Sequence, residues 1–147
     1  MVSELGKKFI KSFEGLRLVA YLDTGGVYTI GYGTIAYPNR TRVKKGDKCT
    51  LQQAEEYFTE DLETFEAVVD RLVKSNMTQN QYDMTCSICY NIGATAFKNS
   101  TLLKVLNMNA DDKTNVSKQW MRWIYDNGNK VTGLENRRKA ELKIYFS

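Results

Sequence analysis

Apolar residues first recur at helical spacing as Leu5, Phe9, Ile10 and Phe13. Ser3, whose hydroxyl suits a helix start, precedes them, and Gly15, which suits a helix end, follows. Between Arg17 and Ile35 the pattern changes. β-Branched and aromatic residues there are broken by Gly25-Gly26 and by Gly31-Tyr32-Gly33, which predicts a short twisted hairpin or small sheet with Asp23 and Thr29 flanking its turn. Residues 36 to 49 read as a polar loop holding the only proline, Pro38. Thr50-Leu51-Gln52-Gln53 is a capping box. Behind it Leu51, Ala54, Phe58, Leu62, Phe65, Val69 and Leu72 step by threes and fours, predicting the strongest helix of the chain with one continuous buried stripe. A second capping box, Thr78-Gln79-Asn80-Gln81, opens a segment with Tyr82, Thr85, Cys86, Ile88, Cys89 and Ile92, apolar enough for a central core helix that Gly93 ends. Further helices are expected at about 100 to 108, 114 to 126 and 134 to 146, with Ser100, Thr114 and Gly133 near their starts and Gly128 as a break. The predicted class is α+β, mostly α, with a small β element near the N-terminus.

Composition narrows the chemistry. The 147 residues, 42% hydrophobic and 12% aromatic, suffice for one compact domain over residues 1–147. No apolar h-region with a small-residue cleavage site follows Met1, and no stretch nears the roughly 18 apolar residues of a spanning helix. A soluble protein that starts in the cytoplasm, without a signal peptide or membrane insertion, is therefore expected. Histidine is absent, which excludes Ser-His-Asp triads, Cys-His dyads and H-E-x-x-H zinc sites and leaves acid–base work to carboxylates, lysine or tyrosine. Cys49, Cys86 and Cys89 are odd in number, and the Cys86-x-x-Cys89 pair sits in an apolar run without further ligands, so free thiols are expected rather than a disulfide, redox or metal site. Trp120 and Trp123, three apart, read as core rather than as sugar platforms. The formal charge of +4 is compatible with an anionic polymer, either nucleic acid or a carboxylate-bearing cell wall. It does not choose between them, and Arg40, Arg42, Lys44, Lys45 and Lys48 read as a solvated basic loop.

One segment is unusual. Phe13-Glu14-Gly15 joins a helix end to the hairpin that carries Leu22-Asp23-Thr24-Gly25-Gly26 and Thr29-Ile30-Gly31-Tyr32-Gly33. Two carboxylates on different elements beside glycine-rich backbone could serve as the acid and base of glycosidic hydrolysis. Glu14 would occupy a helix's last turn, where the negative end of the dipole favours the protonated form. On spacing alone, a surface glutamate and a turn-forming aspartate are the better explanation of the pair.

The spacing Glu14, eight residues, Asp23, five residues, Thr29 resembles the E-x8-D-x5-T signature of the phage-type lysozymes, glycoside hydrolase family 24, also called endolysins or muramidases. Thr29 to Thr34, Phe97 to Leu103, and Gly133-Leu134-Glu135-Asn136-Arg137-Arg138 with Glu141 are similar to further blocks of that family, in order along nearly the whole chain. The resemblance implies a lysozyme-like fold, with a small hairpin lobe and a helical C-terminal lobe joined by the long helix after Thr50. It implies hydrolysis of the β-1,4 bond between N-acetylmuramic acid and N-acetylglucosamine in peptidoglycan, with no metal or organic cofactor and host lysis as the outcome. In that scheme Glu14 protonates the leaving oxygen, Asp23 activates a water and Thr29 orients it. The expected course is inverting, with the carboxyl groups roughly 6.5 to 9.5 Å apart. Ile35, Tyr90 and Ser100 match substrate-contact positions only loosely, and Arg137 matches an arginine that supports the catalytic glutamate. A separate holin would release the enzyme from the host cytoplasm to the wall, and a monomer is expected. Two rivals remain: an inactive lysozyme-like module that binds peptidoglycan or a partner, and a nucleic-acid-binding helical domain supported only by the basic loop.

Overall fold

A computed structural model describes all of residues 1–147 as seven helices and two small antiparallel strand pairs. The chain divides into two compact units, Lys8–Thr64 and Met1–Lys7 together with Phe65–Ser147.

The unit Lys8–Thr64 holds most of α1 (Glu4–Glu14), the hairpin β1 (Arg17–Leu22) and β2 (Tyr28–Gly31), and the first turns of α2 (Leu51–Leu72). Gly15 ends α1 in the left-handed region, φ 71°, with its amide donating to the Lys11 carbonyl at 3.0 Å. The β1–β2 register pairs Tyr21 with Thr29 and Leu22 with Tyr28, and a bulge separates Tyr21 from Arg17. Segment 47–49 adds a partial third strand, since the Ala20 amide donates to the Asp47 carbonyl and the Cys49 amide to the Leu18 carbonyl. Gly31, at φ 66°, passes α2 so closely that a Cβ there would lie 3.4 Å from that of Ala54. The Thr50 capping box forms as predicted, with the Gln53 amide donating to Thr50 Oγ1 and the Thr50 amide to Gln53 Oε1.

The other unit is mostly helical. At its centre α3 (Gln79–Ile92) has nine buried residues, including Cys86 and Cys89, and packs against α4 (Ala94–Lys98) and α7 (Thr132–Tyr145). Burial pushes both thiols up, Cys89 to about 12, so they act as small core hydrophobes. The Thr78 box caps α3, and Gly93 ends it at φ 93°. Ser3 caps α1 by accepting from the Gly6 amide, and Asp83 on α3 accepts from both the amide and the hydroxyl of Ser3.

Several expectations need correction. Of the predicted stripe of α1 Ile10 is buried, whereas Leu5 is 80% exposed and Phe13 is exposed too; Gly6 on the helix and Val2 just before it are buried instead. A Cβ at Gly6 would meet Asp83 at 2.7 Å. The helix expected at 114 to 126 is α6 (Lys113–Trp120), capped by Asp112 rather than Thr114. It ends at Trp120 with Met121 as its C-cap, and the predicted continuation to 126 is replaced by a two-residue strand pair, β3 (Tyr125–Asp126) with β4 (Asn129–Lys130), turned by Asn127 and Gly128 at φ 50° and 78°. Asn-Gly is a strong hairpin signal that the helical periodicity had masked. Helix α5 (Thr101–Met108) agrees with the prediction, including its Ser100 cap.

Candidate active site

Glu14 is the last residue of α1 and is partly buried. Lys11, one turn earlier, forms an ion pair with Glu55 on α2, and its ammonium also sits 5.4 Å from the Tyr32 ring centroid and 5.0 Å from that of Phe58. The Tyr32 hydroxyl donates to the other Glu55 oxygen at 3.1 Å. The Lys11 hydrogen bond is the main cause of the lowered Glu55 pKa, against the opposing effect of desolvation. This brace fixes the last turn of α1, and with it the backbone of Glu14, against α2 and the chain after β2.

Asp23 follows β1 directly. Its Oδ1 accepts from the amides of Gly25 at 2.9 Å and Val27 at 2.8 Å, while its own amide donates to the Val27 carbonyl at 3.0 Å. The turn-forming role is therefore real, and it anchors one carboxylate oxygen and leaves Oδ2 unclaimed by the protein. Thr29, 4% exposed, lies across the turn and donates its hydroxyl to the Val27 carbonyl at 3.0 Å. With its proton committed, that hydroxyl is left to accept.

Tyr21 links these groups. It stands opposite Thr29 in the β1–β2 register, so those two side chains project from one face of the hairpin, and Asp23 begins the turn two residues further on. Burial raises the pKa of its phenol, Glu14 raises it further, Arg17 lowers it and Asp23 raises it. One hydroxyl thus feels both candidate carboxylates. Sequence reasoning missed Tyr21 and the Lys11–Glu55–Tyr32 brace; the aromatic-rich hairpin beside two carboxylates was the available signal.

The other candidates have structural duties of their own. Ile35, 44% exposed, borders a cavity of about 470 Å³ with Tyr37, Arg42, Tyr57 and Asp61. Burial pushes the Asp61 carboxyl up to about 6, although the Thr34 hydroxyl donates to it at 2.7 Å. Tyr90 is buried with its ring 5.2 Å from that of Phe65. Ser100 accepts from the Leu103 amide and donates to the Phe97 carbonyl, and it shares a cavity of about 400 Å³ with Gln119, Arg122 and Trp123. Arg137 is 4% exposed. It donates to the Ser87 carbonyl and hydroxyl at 3.3 Å and lies 3.5 Å from Glu141. Glu141, fully buried, also pairs with Arg138 at 2.7 Å and accepts from Ser87 at 2.6 Å and from Trp120 Nε1 at 3.1 Å. Trp120 is thus core, as expected.

A mostly helical chain with a small antiparallel hairpin, bearing Asp23 and Thr29 around its turn and a glutamate at the preceding helix end, defines a lysozyme-like α+β protein. The chain belongs to the phage lysozyme family, whose profile matches residues 11–141. It is 41% identical over 150 residues to the endolysin of Acyrthosiphon pisum secondary endosymbiont phage 1, covering 99% of this chain and 98% of that one. With the endolysin of Bacillus phage PZA it shares 37% identity over 149 residues, spanning 99% of this chain but 55% of that longer protein. The solved endolysin of Escherichia coli O157:H7 phage FAHEc1 superposes with a TM-score of 0.87 at 42% identity, covering 100% of this chain and 94% of that one.

Proposed function

We propose that this protein is an endolysin that hydrolyses the β-1,4 bond between N-acetylmuramic acid and N-acetylglucosamine in peptidoglycan, and that residues 1–147 act as one catalytic domain. The observation that carries the reading is the placement of Asp23 and Thr29 across one turn, with Tyr21 between them feeling Glu14 as well. Glu14 donates a proton to the leaving glycosidic oxygen. Asp23, anchored through Oδ1, uses Oδ2 to take a proton from a water. The second proton of that water points to Thr29 Oγ1, whose own proton is held by the Val27 carbonyl, so the water's lone pair is left facing the anomeric carbon. Attack by water from the face opposite the leaving group inverts the anomeric centre.

In the same proposal Ile35, Tyr90 and Ser100 contact substrate and Arg137 has a supporting role. The chemistry uses these side chains alone, without a metal or organic cofactor. No helix is long and apolar enough to cross a membrane. Holin-dependent release of a monomer from the host cytoplasm to the wall completes the proposal. Proton NMR of the first products from purified peptidoglycan tests it. Muramic-acid reducing ends should appear with the inverted anomeric configuration before mutarotation; a retained anomer would contradict the role given to Asp23, and an absence of reducing ends would contradict the bond assignment.

A further inference from the structure

Arg17 opens β1 opposite Gly31, exposed to solvent. Its guanidinium carbon lies 4.5 Å from the centroid of the Tyr21 ring, and no carboxylate of the protein forms an ion pair with it. That arrangement is unusual given its surroundings. The Tyr21 phenol is within electrostatic reach of Arg17, Glu14 and Asp23 together, so two carboxylates share this neighbourhood with the arginine. Exposed arginines beside carboxylates ordinarily pair with them, through a planar fork of five N–H donors that matches a carboxylate in two-point contact. Here an aromatic face seats the fork instead. Stacking restricts the rotamers of the long side chain while leaving its donor edges open, which lowers the entropy lost when an anion arrives.

We propose that Arg17, seated on Tyr21, is a carboxylate-recognition element beside the active site, and that its ligand is a stem-peptide carboxylate of the peptidoglycan strand. The choice of ligand rests on the function proposed above, because a glycan that brings its scissile bond to Glu14 and Asp23 carries its peptide carboxylates past the same hairpin face. The neighbouring basic loop offers charge without a comparable seat: Lys45 is exposed and makes no ion pair.

Co-sedimentation with purified sacculi tests this without requiring turnover. One batch of sacculi is left untreated, and the other has its carboxylates converted to amides with carbodiimide and ammonia. Wild type should bind the untreated polymer about tenfold more tightly than the amidated one, the scale of one solvent-exposed two-point contact. Arg17→Gln should lose that preference, and Tyr21→Leu, which removes the seat, should lose most of it. Lys45→Gln, with the same change in net charge, should keep it. A preference that survives in Arg17→Gln, or that Lys45→Gln loses to the same extent, would overturn the proposal. Release of reducing ends by wild type is measured on the same untreated batch. Its failure would remove the glycosidase reading while leaving the binding comparison to decide on Arg17.

Discussion

Asp61 is the residue whose environment most clearly departs from its chemistry. Its carboxyl is largely withdrawn from water beside Tyr37 and Tyr57, and a neutral hydroxyl, that of Thr34, is its hydrogen-bond partner. The folded-state pKa of about 6 stands above the ordinary 3.8, so between those values the folded chain holds a proton that the unfolded chain has released. Stability from this group is complete below the unfolded value and is lost as pH rises through the folded one. Asp61→Asn keeps the acceptor for Thr34 and removes the buried charge. After discounting for the part of the carboxyl still in water, the variant should gain about 1–2 kcal/mol at about pH 7.5 relative to its effect at about pH 3, below the unfolded value. Urea titrations at the two pH values check this, and an equal effect at both would show that desolvation is not the cause. Asp23 contrasts with Asp61, since two backbone amides meet one of its carboxylate oxygens.

Among the elements, α1 and the hairpin each bury an isoleucine completely, Ile10 and Ile30, and charge and aromatic contacts add to that burial at the end of α1. Lys11→Met removes the ion pair to Glu55, a partly exposed contact that should cost under about 1 kcal/mol of stability. Because the same contact holds the turn that ends in Glu14, the variant should still lose roughly tenfold in kcat, as small misplacements of reacting groups do. Lys7→Met breaks the comparable surface pair with Glu4 and should leave kcat unchanged, so matched melting curves and rates separate the two roles. In the helical unit, α7 is tied to α3 and α6 through Glu141. Glu141→Gln leaves Arg137 and Arg138 short of their shared carboxylate in a dry site and should cost about 3–5 kcal/mol, seen as a large fall in Tm. Much of this architecture was legible in the sequence. The capping boxes at Thr50 and Thr78, the glycine stops at Gly15 and Gly93, and the hairpin between Arg17 and Ile35 all follow from local chemistry. What escaped depended on distant partners. Gly6 is chosen by Asp83, 77 residues away, and the predicted continuation of α6 is replaced by the strand pair turned at Asn127 and Gly128. Glu14, Asp23 and Thr29 were singled out through family resemblance, whereas Arg17 and Tyr21 are singled out by the geometry around the hairpin.

For the molecule as a whole, a formal charge of +4 suits approach to a carboxylate-bearing wall, and membership of the phage lysozyme family gives that charge a polymer to work on. Whether Glu14 and Asp23 together form the active site is decided by clearing of purified peptidoglycan suspensions by wild type, Glu14→Gln and Asp23→Asn, each shown by circular dichroism to be folded. Wild type should clear rapidly, and both variants should lose at least about a thousandfold, the scale set by general acid–base catalysis. Clearing at near wild-type rate by either folded variant would contradict an active site built on both.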